Sequence, residues 1–204
     1  MKRIIKNIVL LFGAALSLSA CGHEVAFYAT EVKPVTSEGE VVSYYEEATP
    51  VNSSERISYT DFKRLDSHAD LIYQDGFKNV FETYEEAMEY RSVLDSHLQT
   101  DDDIDKQDYD YLVTIDYLDS LTPSMFEKRK LFITNSWQEA SYNKDSCSLE
   151  GIYLKGDVLY IHRNRHYLNK AMDNFWVKQC YTFFISKNVT FSSYKIETTN
   201  LFKY

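Results

Sequence analysis

Leu149-Glu-Gly-Ile-Tyr-Leu-Lys-Gly-Asp-Val-Leu-Tyr-Ile-His162 is the stretch whose reading decides the fold. Leu149 to Tyr153 and Val158 to His162 are short runs of apolar and aromatic residues. They flank Lys155-Gly156-Asp157, a turn signal containing glycine, and together they predict a β-hairpin. Just beyond it, Asn164 can cap a helix over about 165–177. Tyr167, Leu168, Ala171, Met172, Phe175 and Trp176 would form its apolar face. Tyr181 to Ser186 then reads as a strand, and Val189, Phe191, Tyr194 and Ile196 as one more.

Upstream of the hairpin, Thr83 followed by Glu86 is a capping box, and Tyr84, Ala87, Met88, Arg91, Leu94 and Leu98 recur at helical spacing. Glu85, Glu86 and Glu89 place negative charge where the helix dipole favours it. A helix over 84–98 follows. Residues 100–110 read as an acidic loop. Tyr109, Tyr111, Val113, Ile115 and Tyr117 then alternate with polar residues, the period of a half-buried strand. Thr122-Pro123 opens a short helix through Lys128, and Leu131 to Thr134 is a further strand. Arg56 to Gly76 fits either a strand or a turn of helix. Strands outnumber helices and do not alternate with them regularly. The expected class is α+β, a largely antiparallel sheet of about seven strands with two main helices, 84–98 and 165–177.

The first 21 residues have a different character. Lys2, Arg3 and Lys6 make a basic start, Ile8 to Leu18 carry no charge, and small residues close the stretch. The uncharged run falls short of the ~20 residues that span a bilayer, so it reads as a secretory signal. Leu18-Ser19-Ala20-Cys21 resembles the lipobox of bacterial lipoproteins. The resemblance covers the first tenth of the chain. It implies cleavage before Cys21, a diacylglyceryl group on the Cys21 thiol and acylation of the new amine. Two or more acyl chains hold a protein stably to a membrane. Gly22 is not the aspartate that retains such proteins in the inner membrane, so the resemblance implies the outer membrane, with the body in the periplasm.

The division expected is therefore a signal over 1–20, a lipidated tether over 21–54, and one α+β domain over 55–204. Val25, Phe27 and Val41-Val42-Ser43-Tyr44-Tyr45 are too apolar for a purely disordered linker, so one or two strands are expected within the tether. Without the signal, 184 residues remain, with 19 Lys and Arg against 31 Asp and Glu, a net charge near −12. Such a surface disfavours nucleic acid and suits a basic partner or cations, or serves solubility alone. Cys147 and Cys180 are the two remaining cysteines, and in an oxidising envelope such a pair is expected to form a disulfide.

Candidate chemistry is sparse. Asp101, Asp103 and Asp105 stand at alternate positions, as at the start of an EF-hand calcium loop. Lys106 replaces the sharp-turn glycine and Leu112 the bidentate glutamate, which leaves a looser calcium site against a solvated loop. His162 and His166 have zinc spacing, but Arg163 and Arg165 oppose a dication. Those four residues, with Lys170, are instead a candidate basic contact patch, weighed against a plain polar turn. No nucleophile elbow, Walker loop or dinucleotide glycine pattern occurs, and six glycines cannot build a phosphate cradle. No cofactor and no catalytic residue is assigned. The expected function is that of a membrane-anchored envelope lipoprotein, a non-enzymatic binding protein of the accessory, inhibitor or immunity type, with an envelope protein or cell-wall partner. The alternative is an envelope-polymer hydrolase using two carboxylates.

Overall fold

The computed structural model describes residues 24–37, 39–66, 79–98, 104–134, 137–141, 147–167 and 175–202. The elements in chain order are β1 Val25–Ser37, β2 Glu40–Asn52, β3 Tyr59–Asp66, β4 Val80–Phe81, α1 Tyr84–Leu98, α2 Ile104–Asp119, β5 Arg129–Ile133, β6 Trp137–Ser141, β7 Cys147–Lys155, β8 Val158–Tyr167, β9 Phe175–Ser186 and β10 Ser193–Phe202. Short 3-10 turns occupy Ser53–Glu55 and Pro123–Phe126.

The class is mixed α+β, mostly strand, but the strands form three sheets rather than one of about seven. β3, β9, β5 and β4 neighbour one another in that order, and β6 also pairs with β9, making a five-stranded sheet. β10, β8 and β7 make a three-stranded sheet, and β1 and β2 pair only with each other. The pairing is antiparallel except between β10 and β8, which run parallel from Ser193 opposite Val158 to Phe202 opposite Tyr167.

Side-chain alternation along β9 stacks these sheets. Cys180 and Phe184 point to one side, where they pack with Leu131 and Ile133 of β5 against Ala87 and Leu94 of α1 and Ile115 and Leu118 of α2. Tyr181, Phe183 and Ile185 point to the other side and meet Ile152, Leu159 and Ile161 of the three-stranded sheet. The far side of that smaller sheet presents Tyr153 and Tyr160 to Phe27, Ala29 and Val51 of the β1–β2 ribbon. The order is helices, five-stranded sheet, three-stranded sheet, ribbon. Each fully buried Leu, Ile or Phe in these seams contributes about 1.5–3 kcal/mol of transfer free energy.

α1 has the expected bounds. The Glu86 amide donates to Thr83 Oγ1 at 3.2 Å, and the Glu86 carboxylate reaches back to the Glu82 amide at 2.6 Å, one residue ahead of an ideal capping box. The hairpin is also as read, closed by Gly156 at φ +61°. Thr122-Pro123 opens a 3-10 turn through Phe126.

Three expectations are corrected. The strand expected over 109–117 is the body of α2, because its buried residues Thr114, Ile115, Tyr117 and Leu118 follow helical spacing, and the apolar ones seat against α1 and β9. The helix expected over about 165–177 is replaced by strand at both of its ends. Residues up to Tyr167 continue β8, Phe175 onward belong to β9, and 168–174 lie outside the described residues. The Cys147–Cys180 bridge is not made, and Cys180 is a free, buried thiol. Its side chain lies on the helix side of β9, in the cluster that holds Leu131, Ile133 and Phe184.

Candidate functional site

Two surfaces stand out, and both involve the ribbon. β1 and β2 pair over nearly their whole length, from Val25 opposite Asn52 to Ser37 opposite Glu40, around a two-residue connection in which Gly39 adopts φ +87°. Thirteen residues at the strand rise make the ribbon about 40 Å long.

Its two faces differ. The inward face reads Phe27, Ala29, Glu31 and Lys33 on β1 against Val51, Thr49, Glu47 and Tyr45 on β2. Its root is core. Further out, Lys33 pairs with Glu47 and lies 3.9 Å from Glu31, while Lys195 of β10 comes within 3.7 Å of Glu31. Tyr160 donates to the same Glu31 carboxylate at 3.4 Å. Glu197 of β10 accepts from the Thr30 backbone N–H. Burial pushes its carboxyl up, against the opposing pull of Lys195 and that N–H.

The outward face carries Tyr28, Thr30, Val32, Pro34 and Thr36 on β1 opposite Pro50, Ala48, Glu46, Tyr44 and Val41 on β2. Tyr44 is 68% exposed, Val32 65%, Tyr28 54% and Val41 50%. Glu46 is the one charged residue among those ten.

The second surface is an open cleft of about 390 Å³ at the root of the ribbon. Glu24, Val25, Ala26, Ser53, Arg56, Glu150, Tyr153, His162, Asn164 and Thr199 line it. A β-bulge aims Glu150 into this space: Leu149 pairs with Arg163 and Gly151 with His162, which leaves Glu150 as the extra residue. Gly151 leaves room there for the Tyr153 ring, which a Cβ would approach to 2.8 Å and push aside. The Glu150 carboxylate accepts from Asn164 Nδ2 at 2.7 Å, and its backbone carbonyl accepts from Arg56 at 3.0 Å. The segment after the Ser53–Glu55 turn is tied down by the Ile57 amide donating to Ile152 O at 2.9 Å, which fixes where Arg56 sits.

The expected basic patch is corrected by β8. Alternation along a strand sends His162 and Arg163 to opposite sides, and both are buried, 5% and 8% exposed. His162 stacks on Phe27 with ring centroids 4.1 Å apart, and its Nε2 lies 2.8 Å from Thr199 Oγ1. Burial lowers its pKa, with Glu150 pulling weakly the other way, so the ring is held neutral. Arg163 donates through Nε to Thr198 Oγ1 at 2.8 Å. Arg165 is half-buried opposite Cys147, and His166 is paired opposite Leu201. Lys170 lies outside the described residues.

Asp101 and Asp103 also lie outside the described residues, as does Cys21, and Asp105 falls in the first turn of α2. Among the described residues no group of three or more His, Cys, Asp or Glu is placed to hold a metal ion. No helix among them is long and apolar enough to cross a membrane. The sequence reading missed Arg56, Glu150 and Thr199, which are brought together only by a bulge, a bridge and a parallel strand pair. The ribbon did leave a signal, the tyrosines and valines alternating on either side of Gly39. A scan against protein-family models, a search of curated proteins and a search of solved structures found no match to this chain.

Proposed function

We propose that this chain is a lipid-anchored protein of the bacterial envelope that works by surface contact rather than catalysis, in an accessory, inhibitor or immunity role. In this reading residues 1–20 are removed, Cys21 carries the acyl chains, and the acidic body stands in the periplasm at the outer membrane. The observation that supports it best is the outward face of the ribbon, with Tyr28, Val32, Val41 and Tyr44 exposed on one side of a two-stranded sheet. Contiguous apolar surface of this kind is the mark of a face that something covers. The open cleft offers a second contact point, where Arg56 stands against two carboxylates, Glu24 and Glu150.

One observation favours the alternative reading as an envelope-polymer hydrolase: Glu24 and Glu150 line the same cleft, as a carboxylate pair would. In-cell crosslinking followed by purification from the native membrane separates the two. The contact reading expects a dominant envelope partner that is retained by Glu150→Gln and lost with Arg56→Glu. Shortening of co-purifying cell-wall fragments, abolished by Glu150→Gln, would replace it with the hydrolase. Palmitate labelling that persists after Cys21→Ser would remove the anchor from either reading.

A further inference from the structure

We propose that the outward face of the β1–β2 ribbon lies on the lipid surface that holds the acylated Cys21. The inference rests on the lipid-anchor reading above and names what covers one surface of that protein.

Three observations carry it. First, the ribbon is the outermost layer of the stack, and its root is where the chain arrives from Cys21. Four residue steps separate Cys21 from Val25, and at full extension they span at most about 14 Å. The root of the ribbon is therefore held within about that distance of the acyl chains, and the tether expected over 21–54 shrinks to the few residues before β1.

Second, charge is sorted between the two faces. Glu31, Lys33 and Glu47 lie inward, where they pair with one another and with Lys195. From Tyr28 to Thr36 and from Val41 to Pro50 the outward side carries Glu46 alone. Water on both faces would not require this asymmetry, whereas an apolar neighbour on one face would. Third, the exposed side chains are of the type that suits a lipid–water boundary. Tyr28 and Tyr44 combine an apolar ring with a hydroxyl that stays wet, and Val32, Pro34 and Val41 lie among them. A ribbon lying flat with this face down would turn the rest of the acidic body and the helices away from the membrane.

The test compares hydroxyl-radical labelling, read by mass spectrometry, between two forms of the mature chain. One is the acylated protein reconstituted into vesicles of phosphatidylethanolamine and phosphatidylglycerol. The other is the Cys21→Ser chain free in solution. The expected result is a several-fold fall in labelling of Tyr28, Val32 and Tyr44 in vesicles, with Tyr45 on the inward face unchanged. Adding Val32→Asp and Tyr44→Asp to the acylated chain should restore Tyr28 labelling while leaving its melting temperature in place.

Equal labelling of Tyr28 and Tyr44 in the two forms, for a protein whose N-terminal peptide carries acyl mass and which floats with the vesicles, overturns the proposal and leaves the anchor intact. Protection in native envelope fragments but not in vesicles also overturns it, in favour of a protein or cell-wall partner on this face. An N-terminal peptide without acyl mass overturns both the proposal and the anchor reading.

Discussion

β9 and the β1–β2 ribbon are built from strands of nearly equal length, twelve residues against thirteen, yet their surroundings are opposite. β9 is a central strand, paired with β3 and β5 and further along with β6. Its described side chains from Cys180 to Ile185 are buried on both faces, against helices on one side and the three-stranded sheet on the other. The ribbon has one partner strand per strand, is buried only at the root of one face, and leaves the other face open. β9 thus carries much of the stability of the fold, while the ribbon is free to serve contact. A two-stranded sheet alone is marginal in water, so the ribbon depends on its seat against Tyr153 and Tyr160.

The sharpest way to break this contrast is Phe183→Ala. Phe183 is fully buried and packs on Phe132 with ring centroids 5.0 Å apart. Its truncation should cost about 3–5 kcal/mol in urea or thermal unfolding. A cost below about 1 kcal/mol would mean that β9 is not central. Next comes Leu118→Ala in α2, fully buried against α1 and β9, expected to lose about 2–5 kcal/mol. Asp116→Ala should stay within about 0.5 kcal/mol, because Asp116 is exposed. In a strand Asp116 and Leu118 would share a face, so equal costs would return this segment to the strand reading.

His162 joins the ribbon to the smaller sheet and makes that seam sensitive to pH. Burial lowers its folded pKa below the ordinary value of about 6.5. The unfolded chain therefore takes up the proton more readily. The stability contributed by the neutral ring is complete above about pH 6.5 and is lost as pH falls from there toward the lowered folded value. Melting temperatures measured from pH 8 down to pH 5 should show this decline, and His162→Phe, which keeps a ring stacked on Phe27, should flatten it. An unchanged slope would assign the decline to other groups. The smallest effect is expected at the exposed end of the comparison. Tyr44→Ser should shift stability by no more than about 0.5 kcal/mol, and a larger loss would show that the outward face is covered in the free protein.

Legibility in the sequence follows the same division between local and distant causes. α1 was readable because its start signal, Thr83 with Glu86, and its apolar spacing lie within one stretch. The β7–β8 hairpin was readable because Gly156 closes it within two residues. α2 was not, because Tyr109 to Tyr117 satisfies period two, and the choice of helix rests on Ile115 and Leu118 meeting α1 and the five-stranded sheet. The helix expected over 165–177 gives way to strand at both of its ends for a related reason. β8 and β9 gain partners along their full length, from β10 and from β3, β5 and β6, and that pairing outweighs the local helical spacing.

Of the candidate site residues, the charge of His162 and Arg163 is legible in the sequence but their burial is not, since their neighbours Phe27, Thr198 and Thr199 are more than thirty residues away. The cleft was invisible for the same reason: Glu24, Arg56, Glu150 and Thr199 come from four separate parts of the chain. The sequence by itself determined the elements whose signals are local: a capped helix, a tight hairpin, a strand-rich class and the alternation of the ribbon. Tertiary structure alone decided the layering, the parallel β8–β10 pair, the free thiol of Cys180 and which face of the ribbon stays open. Those outcomes depend on burial against residues far along the chain, and burial is a property of the whole fold.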